Sequence, residues 1–142
     1  MLAALKQRME EKKARAKAIA ESRQWRTNPL LQDCLQAMRG TCTVLPMDLH
    51  EAAETAVNIA LREDIWTEVP ELIDIPDTFL GETVYIIWDE ATLPVLKAPW
   101  VMVDKNLHDI RCVCHHTFLV AETMDRIIWF DGLGRIKLYS IA

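Results

Sequence analysis

An α+β fold is the expectation, with three N-terminal helices followed by a four- or five-stranded antiparallel meander sheet. Three observations predict it. Residues 3–63 carry apolar positions at helical spacing, whereas the chain after Asp64 is dense in β-branched and aromatic runs. The breaks between those runs are short and polar or Pro/Gly-marked, which leaves no room for crossover helices and favours antiparallel pairing. A length of 142 residues with 51% hydrophobic content suffices for one core.

Residues 3–24 hold strong helix formers without Gly or Pro, and Lys6/Glu10, Glu11/Arg15 and Lys17/Glu21 are spaced as i,i+4 pairs. Asn28-Pro29 reads as an N-cap followed by proline at the first helical position. Leu30, Leu31, Cys34, Leu35 and Met38 then give an apolar stripe that Gly40 stops. After a brief extended segment at 41–45, Asp48-Leu49-His50-Glu51 reads as a capping box. It opens a third helix through about Glu63, with Ala53, Ala56, Val57, Ala60 and Leu61 inward. A loop punctuated by Pro70 and Pro76 leads into strands expected at 83–88, 100–103, 110–120, 126–130 and 135–141. The last two are joined by Asp131-Gly132-Leu133-Gly134, where glycine reaches positive φ without steric cost.

Both faces of those strands are apolar: Val84, Ile86 and Trp88 alternate with Tyr85 and Ile87, and Ile128 and Phe130 with Ile127 and Trp129. Such a sheet needs cover on each side, from the helices and the 64–80 loop or from a second protein.

Charge divides the chain. Residues 1–40 carry nine Lys/Arg against four Asp/Glu, and residues 41–142 carry seven against seventeen, within an overall −5. Two units are therefore expected: a basic amphipathic helix, arm or docked, over 1–26 and an acidic α+β domain over 27–142. On a helical wheel Leu2, Leu5, Met9, Ala16 and Ala20 form a weak apolar stripe flanked by Arg8, Lys12 and Arg15 on one side and Lys6, Lys13 and Lys17 on the other. Whatever buries that stripe also meets two rails of positive charge, so it should be acidic: the chain's own domain, a partner or phosphates.

The stretch from Arg8 to Leu31, ending Gln24-Trp25-Arg26-Thr27-Asn28-Pro29-Leu30-Leu31, resembles the arginine-rich RNA-binding segment of lambda-type N antitermination proteins. The resemblance implies Arg8, Lys12, Lys13, Arg15, Lys17 and Arg23 as phosphate contacts and Trp25, beside Arg26, as a residue stacking on a base. It covers about a sixth of the chain. It departs from that family in having lysines and acidic residues where dense arginine is expected, and in the acidic remainder. The competing reading of Trp25 is a hydrophobic anchor at a helix end.

Cys112-Val113-Cys114-His115-His116 offers metal-ligating residue types, and on a strand Cys112, Cys114 and His116 would share a face. No second ligand pair at knuckle spacing accompanies them, so no metal is expected and the cysteines read as small core residues. His50-Glu51 lacks a histidine four residues on, and no nucleophile elbow, P-loop or dinucleotide fingerprint occurs. A pairing of Cys114 with His50 or His108 lacks a visible activating base. The row His50, Glu54, Asn58 and Arg62 reads as a solvated helix face.

The expectation is therefore a cytoplasmic, non-catalytic protein without cofactor or membrane association. It would act by stoichiometric binding, as a bacterial or phage inhibitor, immunity protein or adaptor. Its acidic domain would engage a basic protein such as a nucleic-acid-handling enzyme or nuclease toxin through Glu68, Glu71, Asp74, Asp77, Glu82, Asp89 and Glu90. The alternative is a nucleic-acid-binding adaptor using Arg8, Lys12, Lys13, Arg15, Lys17, Arg23, Trp25 and Arg26. Homo-oligomerisation stays open in either case.

Overall fold

Alternation of apolar residues on both faces organises everything that a computed structural model of the chain describes. Those residues are 2–22, 28–90 and 93–141, with side chains described for all but Leu2 and residues 15–22. In chain order the elements are α1 (Leu2–Ser22), α2 (Pro29–Ala37), β1 (Thr43–Val44), α3 (Met47–Glu63), β2 (Thr67–Val69), a 3-10 turn (Leu72–Asp74), β3 (Thr83–Trp88) and β4 (Leu96–Pro99). They continue with α4 (Trp100–Lys105), α5 (Leu107–Cys112), β5 (Thr117–Ala121), β6 (Arg126–Phe130) and β7 (Ile136–Ser140). The strands form one antiparallel sheet of seven in the order β1-β4-β3-β5-β6-β7-β2.

On one face Val84, Ile86 and Trp88 of β3 pack with Leu119, Ile128 and Phe130 beneath Leu31, Cys34 and Met38 of α2, Val103 of α4, and Leu107 and Ile110 of α5. On the other, Tyr85, Ile87, Phe118, Val120, Ile127 and Tyr139 meet Ala53, Val57 and Ala60 of α3. Each fully buried Ile or Leu in these layers contributes about 1.5–3 kcal/mol. Helices and the 72–80 segment, whose Ile75 and Leu80 join the first core, thus cover both faces. α1 packs outside α3.

The α+β class holds, while the order and count of elements differ from expectation. Residues 100–103 form the start of helix α4 instead of a strand, and 110–112 end helix α5, so β5 begins only at Thr117. The β-branched Val101 and Val103 have modest helix propensity, yet Pro99 sets extended backbone just ahead of α4 and Val103 fills the core. Tertiary burial overrides propensity there. These two helices carry the chain from β4 over β3 to β5, a crossover that replaces the simple meander. β2 and β4 are short additions at 67–69 and 96–99. α2 starts as expected: the Asn28 side chain accepts from the Leu31 N–H at 3.0 Å, with Pro29 at the first position. α3 does not start on an Asp48 cap. Pro46 occupies the N-cap position and Asp48 lies in the first turn, where its charge favours the positive end of the helix dipole.

The β6–β7 hairpin is tied by a buried carboxylate. Asp131 Oδ1 accepts from the backbone N–H groups of Leu133 and Arg135, both at 2.9 Å, and Oδ2 accepts from Arg135 Nε at 2.7 Å. Lys137 Nζ stands 3.8 Å away. Burial alone would raise this carboxyl, but the Arg135 and Leu133 N–H bonds and the Arg135 guanidinium more than offset it and hold it below the ordinary carboxylate range. A depressed carboxyl contributes stability that is present above its unfolded value, about 3.9, and lost as pH falls through the folded one. Asp131→Asn should therefore cost about 1–3 kcal/mol at neutral pH. The gap to wild type should close below roughly pH 4, as followed by urea unfolding at both pH values.

Candidate functional site

The seven acidic residues expected to form one partner surface are distributed by the sheet. Glu71, Asp74 and Asp77 cluster at the 3-10 turn, where the Glu71 N–H donates to Asp74 Oδ2 at 3.2 Å and the Asp74 N–H to the Glu71 carbonyl at 3.1 Å. Glu82 stands at the start of β3, its carbonyl accepting from the Trp100 N–H at 2.8 Å, and so adjoins α4. Asp89 and Glu90 follow the other end of β3, where the Asp89 N–H donates to the His116 carbonyl at 3.1 Å. A strand rises about 3.3 Å per residue, so Glu82 and Asp89 are separated by roughly 20 Å. Glu68 lies on edge strand β2, paired in register with Lys137.

The turn and α4 together make a defined surface. A cleft of about 490 Å³ is lined by Leu72, Ile73, Ile75, Pro76, Asp77, Trp100 and Asp104. Ile73 is 86% exposed, and Val101, next to Trp100 on α4, is 65% exposed. Hydrophobic side chains so placed contribute little to the fold, and here Asp77 and Asp104 line the same cleft as Ile73, with Glu71 and Asp74 in the adjoining turn. Among the described residues nearby cations are few: Lys105 ends α4, and Arg126 is occupied by the Phe79 carbonyl at 3.2 Å and the Phe79 ring at 5.8 Å. Ile73, Val101, Trp100 and Asp104 were not among the expected site residues. Reading 100–104 as a helix would have revealed the last two, since Trp100 and Asp104 are one helical turn apart.

The basic helix spends part of its charge on its own domain. Lys12 Nζ donates to Asn58 Oδ1 at 2.9 Å and Lys13 Nζ lies 3.7 Å from Glu51 Oε2. The polar row of α3 is accordingly not a solvated face: His50 is buried with its Nε2 3.1 Å from Glu54 Oε1, and Asn58 faces α1. Arg8 is exposed. The side chains of Arg15 and Lys17 are not described, and Arg23, Trp25 and Arg26 lie outside the described residues.

The Cys/His segment is not the strand that was expected. Cys112 ends α5 and Cys114, His115 and His116 occupy the loop before β5, so the shared face of Cys112, Cys114 and His116 does not form. No group of three or more His, Cys, Asp or Glu side chains able to hold a metal ion occurs among the described residues. His116 Nδ1 instead accepts from Trp129 Nε1 at 3.2 Å, next to a cluster in which Trp129 packs on Phe118 and Trp66. The histidine nearest a thiol is His108, its Nε2 3.7 Å from Cys112 Sγ, rather than a partner of Cys114. Cys34 and Cys42 are both pushed up, Cys34 to about 12, chiefly by burial. No helix is long and apolar enough among the described residues to cross a membrane.

No protein-family model matches the chain, and no curated protein matches it either. Geometry and charge therefore carry the functional reading.

The four thiols should differ sharply in reactivity. Iodoacetamide at pH 8 on the folded protein should label exposed Cys112 first, while Cys34, buried and with its thiolate disfavoured, should react only after unfolding. Peptide mapping by mass spectrometry reads the order.

Proposed function

We propose that this protein acts by stoichiometric binding, docking the carboxylate-rimmed apolar surface of the 3-10 turn and α4 onto a basic protein partner. A nucleic-acid-handling enzyme or a nuclease toxin has that character, and the chain would then serve as its inhibitor, immunity protein or adaptor. The observation that carries the reading is Ile73, 86% exposed at the head of a cleft whose rim is formed by Asp77 and Asp104. An aliphatic anchor inside a charged rim is the usual anatomy of an energetic centre in an interface. The rim's single sign selects a partner rich in Lys and Arg and speeds encounter with it. Of the expected contacts, Glu71, Asp74, Asp77 and Glu82 belong to this surface. Asp89 and Glu90, at the far end of β3, would reach only a partner that wraps the sheet.

The test is affinity capture on the immobilised protein from an extract of the native host, run with and without nuclease treatment, followed by reconstitution with the purified partner. A basic protein forming a one-to-one, salt-sensitive complex is expected. Asp74→Lys combined with Asp77→Lys should abolish the complex. Ile73→Ala should weaken it by roughly ten- to thirtyfold through loss of a buried anchor, leaving the melting temperature unchanged. Recovery of nucleic acid alone, lost with Lys6→Glu and Arg8→Glu and indifferent to Asp77→Lys, would refute the proposal in favour of the nucleic-acid adaptor.

A further inference from the structure

At the end of the sheet where β3 and β6 finish, α2, α5 and the β6–β7 hairpin enclose a cleft of about 730 Å³. That volume is in the range that holds small organic molecules and exceeds the need of a lone ion. Leu107, Val113 and Phe130 give it an apolar lining, and half-exposed Leu30 stands at its lip.

Its wall carries, among the described residues, one acidic and one basic side chain, Asp131 and Arg111. Among the described residues, Asp131 is the one carboxylate on its wall, and its oxygens are already engaged by two backbone N–H groups and the Arg135 guanidinium, with Lys137 close by. Arg135 and Lys137 answer Asp131 from beside the cleft, and Arg111 is a cation on its wall. Asp89 stands at the same end of the sheet but does not line the cleft.

Arg111 is the distinctive group. Its guanidinium carbon lies 4.5 Å from the centroid of the Phe130 ring. Among the described residues no carboxylate is within 4 Å of it and no acceptor takes its N–H groups. Stacking occupies the flat face of a guanidinium and leaves free the in-plane N–H edge, the part that grips a carboxylate or phosphate with two parallel bonds. A half-buried cation over an aromatic ring, without a counter-charge among the described residues, is suited to an anion.

We infer that this cleft binds a small organic anion. Its carboxylate or phosphate is held by Arg111, and its apolar body lies along the wall between Leu107 and half-exposed Leu30. Cys112, 3.7 Å from His108 on the same wall, would be shielded by the bound molecule.

The test is a two-dimensional amide NMR titration of the full chain with benzoate, phenyl phosphate, inorganic phosphate and benzyl alcohol. At least one aromatic anion should bind roughly tenfold or more tighter than benzyl alcohol and inorganic phosphate, since only it satisfies apolar wall and fork together. Shifts should centre on residues 107–117 and 130–134, and the tighter of the two aromatic anions identifies the group preferred. Arg111→Met should erase the preference and Arg111→Lys reduce it, while Arg126→Met, which removes the other guanidinium stacked on a phenylalanine, should leave it intact. In the unaltered protein, a saturating aromatic anion should slow iodoacetamide labelling of Cys112. Equal binding of benzyl alcohol, shifts confined to other surfaces, or unslowed labelling of Cys112 at saturation would overturn the inference.

Discussion

The constraint on which the structure depends is that β3 and its neighbours are apolar on both faces. Val84, Ile86 and Trp88 point one way and Tyr85 and Ile87 the other, and all five are buried. A sheet of that composition cannot leave either side to water, so helices must be recruited to both. α3 alone serves one face, with α1 behind it. The other face takes α2, α4, α5 and the 72–80 segment, and this division explains why the chain leaves the sheet after β4 and returns only at β5. Trp88 shows the tightness of the arrangement: its Nε1 reaches across to donate to the Ile110 carbonyl in α5 at 2.9 Å, satisfying a polar atom that the core would otherwise strand.

The same demand explains what could and could not be read from residues in order. β3 and β6 were legible to the residue, because their alternation is uninterrupted and their ends are marked by charge or glycine. α2 was legible because Asn28 and Pro29 form a local signal that needs no tertiary partner. α4 and α5 were not. Trp100-Val101-Met102-Val103 satisfies strand propensity, and only the presence of an uncovered sheet face, created by strands distant in sequence, makes the helical arrangement better. β2 and β4 escaped notice for the related reason that three- and four-residue strands bordered by proline hold almost no pattern of their own.

Of the proposed binding surface, the carboxylates at 71–77 were visible as loop charge, but their meaning depends on a residue whose direction the sequence leaves open. In Leu72-Ile73-Asp74-Ile75 three of the four positions are apolar, and nothing local decides which isoleucine turns inward. The 3-10 turn settles it: Ile75 is 7% exposed and enters the core, while Ile73 is 86% exposed. The turn thus fixes the apolar anchor beside Glu71 and Asp74, while α4 brings Asp104 to the same cleft, and a side chain on a floppy loop could not be positioned so.

The electrostatic split of the chain survives folding only in part, and that bears on how any partner would be chosen. Lys12 and Lys13 are drawn onto α3, so the basic helix acts first on its own acidic domain, at separations where exposed pairs are worth at most about 1 kcal/mol. Among the described residues the acidic surface at the turn has no equivalent neutralisation, since Arg126 is held by Phe79 and Lys105 is a single charge. Field strength at a surface depends on what is left unpaired there, not on totals along the chain. By that measure, among the described side chains, the carboxylates of the cleft between the 3-10 turn and α4 are less neutralised than Lys12 and Lys13 of α1, which is why the proposed partner surface is placed there.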